Sequence, residues 1–103
     1  MFQTNAPKRK TTKLMRKAYK EALKTFLTEQ IKNSRISHHL SQEKAAEYLA
    51  MDPRSYADID NGKCMCSTTT FALFLTYLCD DPNELLNNVK IIIEEIYKIG
   101  YKC

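Results

Sequence analysis

An all-α fold is predicted for this chain by three observations. Gly and Pro are scarce, 2 and 3 among 103 residues, so the backbone has few of the breakers that many short strands require. Apolar residues recur at three- and four-residue spacing along most of the length, which is one face of a 3.6-residue helix. Polar start signals at Ser41, Asp52-Pro53, Ser67 and Asp81-Pro82 divide that pattern into segments. The expected architecture is five helices with a basic N-terminal arm and a long C-terminal helix. Residues 1–12 are read as a mobile basic arm, 13–100 as one domain and 101–103 as a tail.

The first helix begins near Leu14. Leu14, Ala18, Ala22, Leu23, Phe26, Leu27, Gln30 and Ile31 give its apolar face, and the run fades near Arg35. Residues 36–40, with His38 and His39, form a connection. Ser41 can accept a hydrogen bond from the unpaired amides of the next turn. The second helix presents Ala45, Ala46 and Leu49 inward, with Tyr48 at the margin. Asp52 caps the third helix, and Pro53 at its first position loses no bond, because that amide has no helical partner. Tyr56, Ala57 and Ile59 point inward, and Asn61-Gly62 ends the helix in the left-handed conformation those residues tolerate. Ser67 caps the fourth helix, whose Phe71, Ala72, Phe74, Leu75 and Leu78 make it the most hydrophobic and the expected centre of the core. The last helix carries Leu85, Leu86, Val89, Ile92, Ile93, Ile96 and Tyr97 and is expected to stop at Gly100.

Charge is divided unevenly along the chain. Residues 1–40 carry ten Lys or Arg against Glu21 and Glu29, a net +8, whereas residues 41–103 carry six against ten acids, a net −4. A basic first third on a near-neutral body suggests a polyanionic partner, nucleic acid being the commonest, or a solvated tail that aids solubility. No stretch reaches the ~18–20 apolar residues that span a bilayer, and residues 1–20 lack the apolar stretch of a secretion signal. The expected location is the cytoplasm, with no membrane partner and with Cys64, Cys66, Cys79 and Cys103 reduced. Cys64-Met65-Cys66 lacks the paired spacing and the four ligands of a structural zinc site. His38-His39 has no nucleophile or carboxylate arranged with it. No metal, cofactor or enzymatic activity is expected.

Residues 41–62 form two short helices joined by a tight turn, the geometry of a helix-turn-helix. In detail, Ile31 to Arg35, then Leu40-Ser41-Gln42-Glu43-Lys44-Ala45-Ala46-Glu47-Tyr48-Leu49, then Ile59-Asp60-Asn61-Gly62-Lys63, resembles the phage repressor and Cro type of helix-turn-helix domain. Thr70 to Leu86, ending Asp81-Pro82-Asn83-Glu84-Leu85-Leu86, looks like the fourth helix and the start of the fifth in that family. The resemblance covers roughly residues 20–87. It implies a lambda-repressor-like, five-helix DNA-binding domain that acts as a transcriptional regulator on double-stranded DNA, often as a dimer on a palindromic site.

Carried over position by position, the resemblance implies that Arg54, Ser55 and Asp58 face base edges. Gln42, Asn61 and Lys63 would meet phosphates, joined by Lys8, Arg9 and Lys10 of the arm and by Lys13 where the first helix opens. It implies an ion pair between Arg35 and Asp60. Two positions depart from the family pattern. Pro53 stands where a long polar base reader is usual. Asp58 can accept from a cytosine amino group but is repelled by phosphates. The isoleucines of the last helix offer more apolar surface than one face needs. Ile92, Ile93, Ile96 and Tyr97 are therefore a candidate homodimer surface, or else the helix packs more deeply into its own monomer. A protein-interaction module on the same scaffold, such as an antitoxin or an accessory regulator subunit, is the alternative reading.

Overall fold

The computed structural model describes residues 12–102, and of Thr12 and residues 100–102 the backbone alone. The arm expected over 1–12 lies outside the described residues except for Thr12, which opens the first helix. Five helices follow in order: α1 (Thr12–Ser37), α2 (Gln42–Tyr48), α3 (Pro53–Asp60), α4 (Thr68–Tyr77) and α5 (Pro82–Lys102). No strand occurs among the described residues.

The starts of α2, α3, α4 and α5 are each fixed by a side chain that accepts an otherwise unpaired amide. The Lys44 amide donates to Ser41 Oγ at 3.0 Å, the Ser55 amide to Asp52 Oδ1 at 2.9 Å, the Thr70 amide to Ser67 Oγ at 3.1 Å and the Glu84 amide to Asp81 Oδ1 at 3.0 Å. The first three helices also end alike. A residue with positive φ donates to the carbonyl three back, and the next residue donates to the carbonyl five back, a closure that pairs two of the free C-terminal carbonyls. At α3 these bonds run from Gly62 to Ile59 and from Lys63 to Asp58. At α2 they run from Ala50 to Glu47 and from Met51 to Ala46, and at α1 from His39 to Ile36 and from Leu40 to Arg35.

Gly62 (φ 75) suits that position, whereas His39 (φ 58) and Ala50 (φ 54) carry a β-carbon there. Ala50 is exposed, so its methyl group contributes little packing. Ala50→Gly is expected to stabilise the domain by about 0.5–1 kcal/mol, the relieved left-handed strain less the added freedom of the unfolded chain. A raised urea midpoint at unchanged slope would bear this out; a lowered midpoint would count against it.

The core draws on all five helices: Leu27 and Ile31 of α1, Ala45 and Ala46 of α2 with Leu49 just past its end, Tyr56 and Ile59 of α3, Phe74 of α4 with Leu78 at its end, and Leu85 of α5. The expectation that α4 is the centre gives way to a shared core, in which α4 buries one narrow stripe, Thr70, Phe74 and Leu78, while Ala72 is exposed. Leu14 is 67% exposed and Met15 is the buried residue instead; the two lie about 100° apart on the helix. Tyr48 also faces out, against Tyr77 with ring centroids 6.4 Å apart.

α5 packs against α1, its start lying beside the end of α1. Its first turns, Glu84 and Asn88, share a cleft with Gln30 and Ser34 near the end of α1, and His38 Nε2 lies 3.1 Å from Asp80 Oδ1. α5 passes through Gly100 to Lys102, so the expected stop there does not occur. A helical Gly costs only about 1 kcal/mol against Ala, and no proline follows. At 26 residues, α1 is about 39 Å long, which accounts for most of the 43 Å long axis of a body only 28 by 20 Å across.

Candidate nucleic-acid interface

The surface that the sequence singles out is built on α2, α3 and the four-residue turn between them, residues 49–52. α3 is held from beneath by one carboxylate. Asp60 is 4% exposed and accepts three hydrogen bonds. Arg35 Nη2 reaches Oδ2 at 3.3 Å, Gln42 Nε2 reaches the same oxygen at 3.0 Å, and Tyr56 OH donates to Oδ1 at 3.0 Å. Arg35 Nη1 also donates to the Leu40 carbonyl at 3.0 Å, while its Nε is buried without a partner. One guanidinium thus ties the α1–α2 connection to the end of α3. Burial pushes the Asp60 carboxyl up, but the hydrogen bonds from Gln42, Tyr56 and Arg35, with the Arg35 charge, hold it below the usual carboxylate range. Burial, then the hydrogen bond to Asp60 and its charge, push the Tyr56 phenol well above its ordinary value.

Gln42 is a member of this cluster. Its amide is turned inward onto Asp60, because a buried carboxylate needs more donors than one arginine at 3.3 Å supplies. Arg54 is exposed, and its side chain makes no hydrogen bond or ion pair with any described residue. Ser55 is exposed, but its hydroxyl donates to Asp52 Oδ2 at 2.9 Å. It thereby completes the cap that holds the Asp52 carboxyl below its ordinary range, chiefly through the Ser55 amide and hydroxyl. Asp58 and Lys63 face each other, with Lys63 Nζ 4.0 Å from Asp58 Oδ1. Such an exposed pair is weak and opens readily to another partner. Asn61 is the exposed C-terminal cap of α3. Lys8, Arg9 and Lys10 of the arm lie outside the described residues; Lys13 is exposed in the first turn of α1.

Ile92, Ile93, Ile96 and Tyr97 are half-buried within the chain. They are neither in the buried core nor fully exposed, and α5 as a whole packs against α1. Among the described residues of α5, the large apolar ones that stand exposed are Leu86, Ile91 and Ile99. Cys64, Cys66 and Cys79 are free thiols, and burial pushes the thiols of Cys66 and Cys79 up, away from the thiolate that binds metal or reacts. Among the described residues no group of three or more His, Cys, Asp or Glu is placed to hold a metal ion. No described helix is long and apolar enough to cross a membrane.

The chain matches no protein-family model, no curated protein and no solved structure.

Proposed function

We propose that this chain is a DNA-binding transcriptional regulator of the phage repressor and Cro type, a cytoplasmic non-enzyme without a cofactor. In this reading α2 and α3 are a helix-turn-helix, and α3 enters the major groove of duplex DNA, which is wide enough for a helix. The observation that carries the proposal is the fixed seat of α3. Asp60, anchored by Arg35, Gln42 and Tyr56, holds its inner face, while Arg54 stands outward at its first turn. A reading helix needs a rigid inner face and an uncommitted outer one. Asn61 and Lys63, at the end of α3, would meet the backbone.

With Ser55 committed to the Asp52 cap, Arg54 carries most of the direct reading. A bidentate contact to guanine is worth about 1–3 kcal/mol of discrimination. Arg54→Ala should therefore weaken binding to a duplex selected from a random pool by roughly 10–100-fold, with little loss on unselected duplex, read by fluorescence anisotropy. Retention of no duplex at low salt would refute the proposal.

One observation favours the protein-interaction reading. Around α2 and α3 the exposed charges are Glu43, Glu47 and Asp52 against Lys44, Arg54 and Lys63, with Asp58 half-buried beside Lys63, so this surface is not itself basic. A stoichiometric complex with a protein partner, blocked by Arg54→Glu and formed without DNA, would establish that alternative.

A further inference from the structure

Positive charge is concentrated on the first half of α1 rather than on α3. Lys13, Arg16, Lys17, Lys20 and Lys24 fall within an arc of roughly 100° on a helix of 3.6 residues per turn. Leu27, Ile31 and Arg35 fall in or beside that same arc farther along, and there the arc turns into the core and onto Asp60 of α3. The basic stripe therefore faces the side on which α3 sits. The loop after α3 forms the other wall of this corner. Lys24, Thr25, Thr28 and Glu29 line a cleft with Gly62, and Lys20, Glu21 and Lys24 line a second, of about 200 Å³, with Cys64 and Met65. Lys63 stands between those loop residues with its side chain 70% exposed.

We infer that this corner is a phosphate track, in which the sugar-phosphate backbone of the duplex bound by α3 continues along the first half of α1. The inference rests on the DNA-binding reading and assigns it a second contact surface. The stripe spans about 16 Å along the helix, and Glu21 is the only acid from Thr12 to Lys24. Its placement opposes the stability of α1. Lys13/Lys17, Arg16/Lys20 and Lys20/Lys24 are like-charge pairs four apart, and the first turn holds a cation and no acid at the positive end of the helix dipole. An anionic backbone laid in the corner relieves both repulsions. The occupant is a polyanion by charge complementarity, and it is the duplex because the stripe and α3 share one side of the molecule.

The test is the salt dependence of duplex binding by the full chain, with Lys17→Gln, Lys20→Gln and Lys24→Gln combined. At about 0.9 per phosphate contact, the slope of log affinity against log salt should fall by two to three units, and the corresponding arginine variant should keep the wild-type slope. The variant removes like-charge pairs together with one weak, partly exposed pair, Lys24 Nζ to Glu21 Oε1 at 3.7 Å, so the thermal midpoint should stay near that of wild type and the loss is read on folded protein. A control with Lys32→Gln, Lys90→Gln and Lys98→Gln removes equal charge elsewhere and should move the slope by less than about one. If wild type binds duplex and the stripe variant keeps its slope, or the control moves it equally, the track is wrong and the DNA-binding reading stands. If wild type binds no duplex, both fail. If it instead binds anionic phospholipid vesicles through these lysines, a membrane surface replaces the duplex as occupant.

Discussion

Asp60→Ala should lower the stability of the domain by about 3–5 kcal/mol, the cost of removing one partner from a buried ion pair. Three donors lose their acceptor together: Arg35 Nη2, Gln42 Nε2 and Tyr56 OH. The guanidinium side chain is only 16% exposed, so water replaces the carboxylate poorly, and a buried charge left unpaired is what makes the loss large. A shifted urea midpoint measures it; a change below about 1 kcal/mol, the range of an exposed pair, would mean that the cluster is solvated and does not hold α3.

The same carboxylate gives the stability its acid limit. Its folded pKa lies below the unfolded value, so the unfolded chain binds the proton more readily and stability rises with pH through that interval. The contribution is fully present above the ordinary aspartate value of about 3.9 and is lost as pH falls through the depressed folded value. Urea midpoints followed downward from about pH 5 should therefore decline more steeply for wild type than for Asp60→Asn, which has no charge to lose.

Much of the fold was legible because helix starts are written locally. Ser41, Asp52-Pro53, Ser67 and Asp81-Pro82 each act within three residues of themselves, and each accepts the amide that its position implies. Gly62 signals its left-handed turn by lacking a β-carbon. His39 and Ala50 occupy equivalent turns without that signal, since tertiary packing of the flanking helices imposes the conformation against local preference. The faces of α1 were harder to read. Leu14 and Met15 are both apolar, and which one is buried depends on where α5 lies, a fact that no local spacing contains.

The candidate site divides in the same way. Arg35 and Asp60 could be paired from the family-like positions of the two residues. Gln42 could not be placed from sequence alone, because an exposed-looking amide at the first position of a helix points outward in isolation and inward only once a carboxylate lies beneath it. Ser55 was equally ambiguous: a serine three residues after an N-terminal Asp either extends the cap or faces a ligand, and its hydroxyl serves the cap. The basic stripe was visible as a run of charge. Its direction came only with the burial of Ile31 and the reach of Arg35 to Asp60, which set the side of α1 that faces α3.

Tyr56 joins the core to the site, and two substitutions there separate its two roles. The side chain is fully buried, so Tyr56→Ala removes its ring from a packed interior and should cost about 3–5 kcal/mol, as aromatic-to-alanine changes in cores do. Tyr56→Phe keeps the ring and deletes only the hydroxyl that donates to Asp60. A hydrogen bond to a charged group contributes about 1.5–3 kcal/mol, and Asp60 retains Arg35 and Gln42, so the phenylalanine variant should lie near the lower end of that range. Because the two residues touch, their effects will not add. In the double variant with Asp60→Ala, Tyr56→Phe should cost almost nothing further, since the hydroxyl has already lost its acceptor. If Tyr56→Phe costs as much in the absence of Asp60 as in its presence, the hydroxyl acts through packing and the carboxylate is held by Arg35 and Gln42 alone. A coupling of about 1 kcal/mol or more would instead make Tyr56 the link through which the core fixes the end of α3, and with it the position of Arg54 on the outer face.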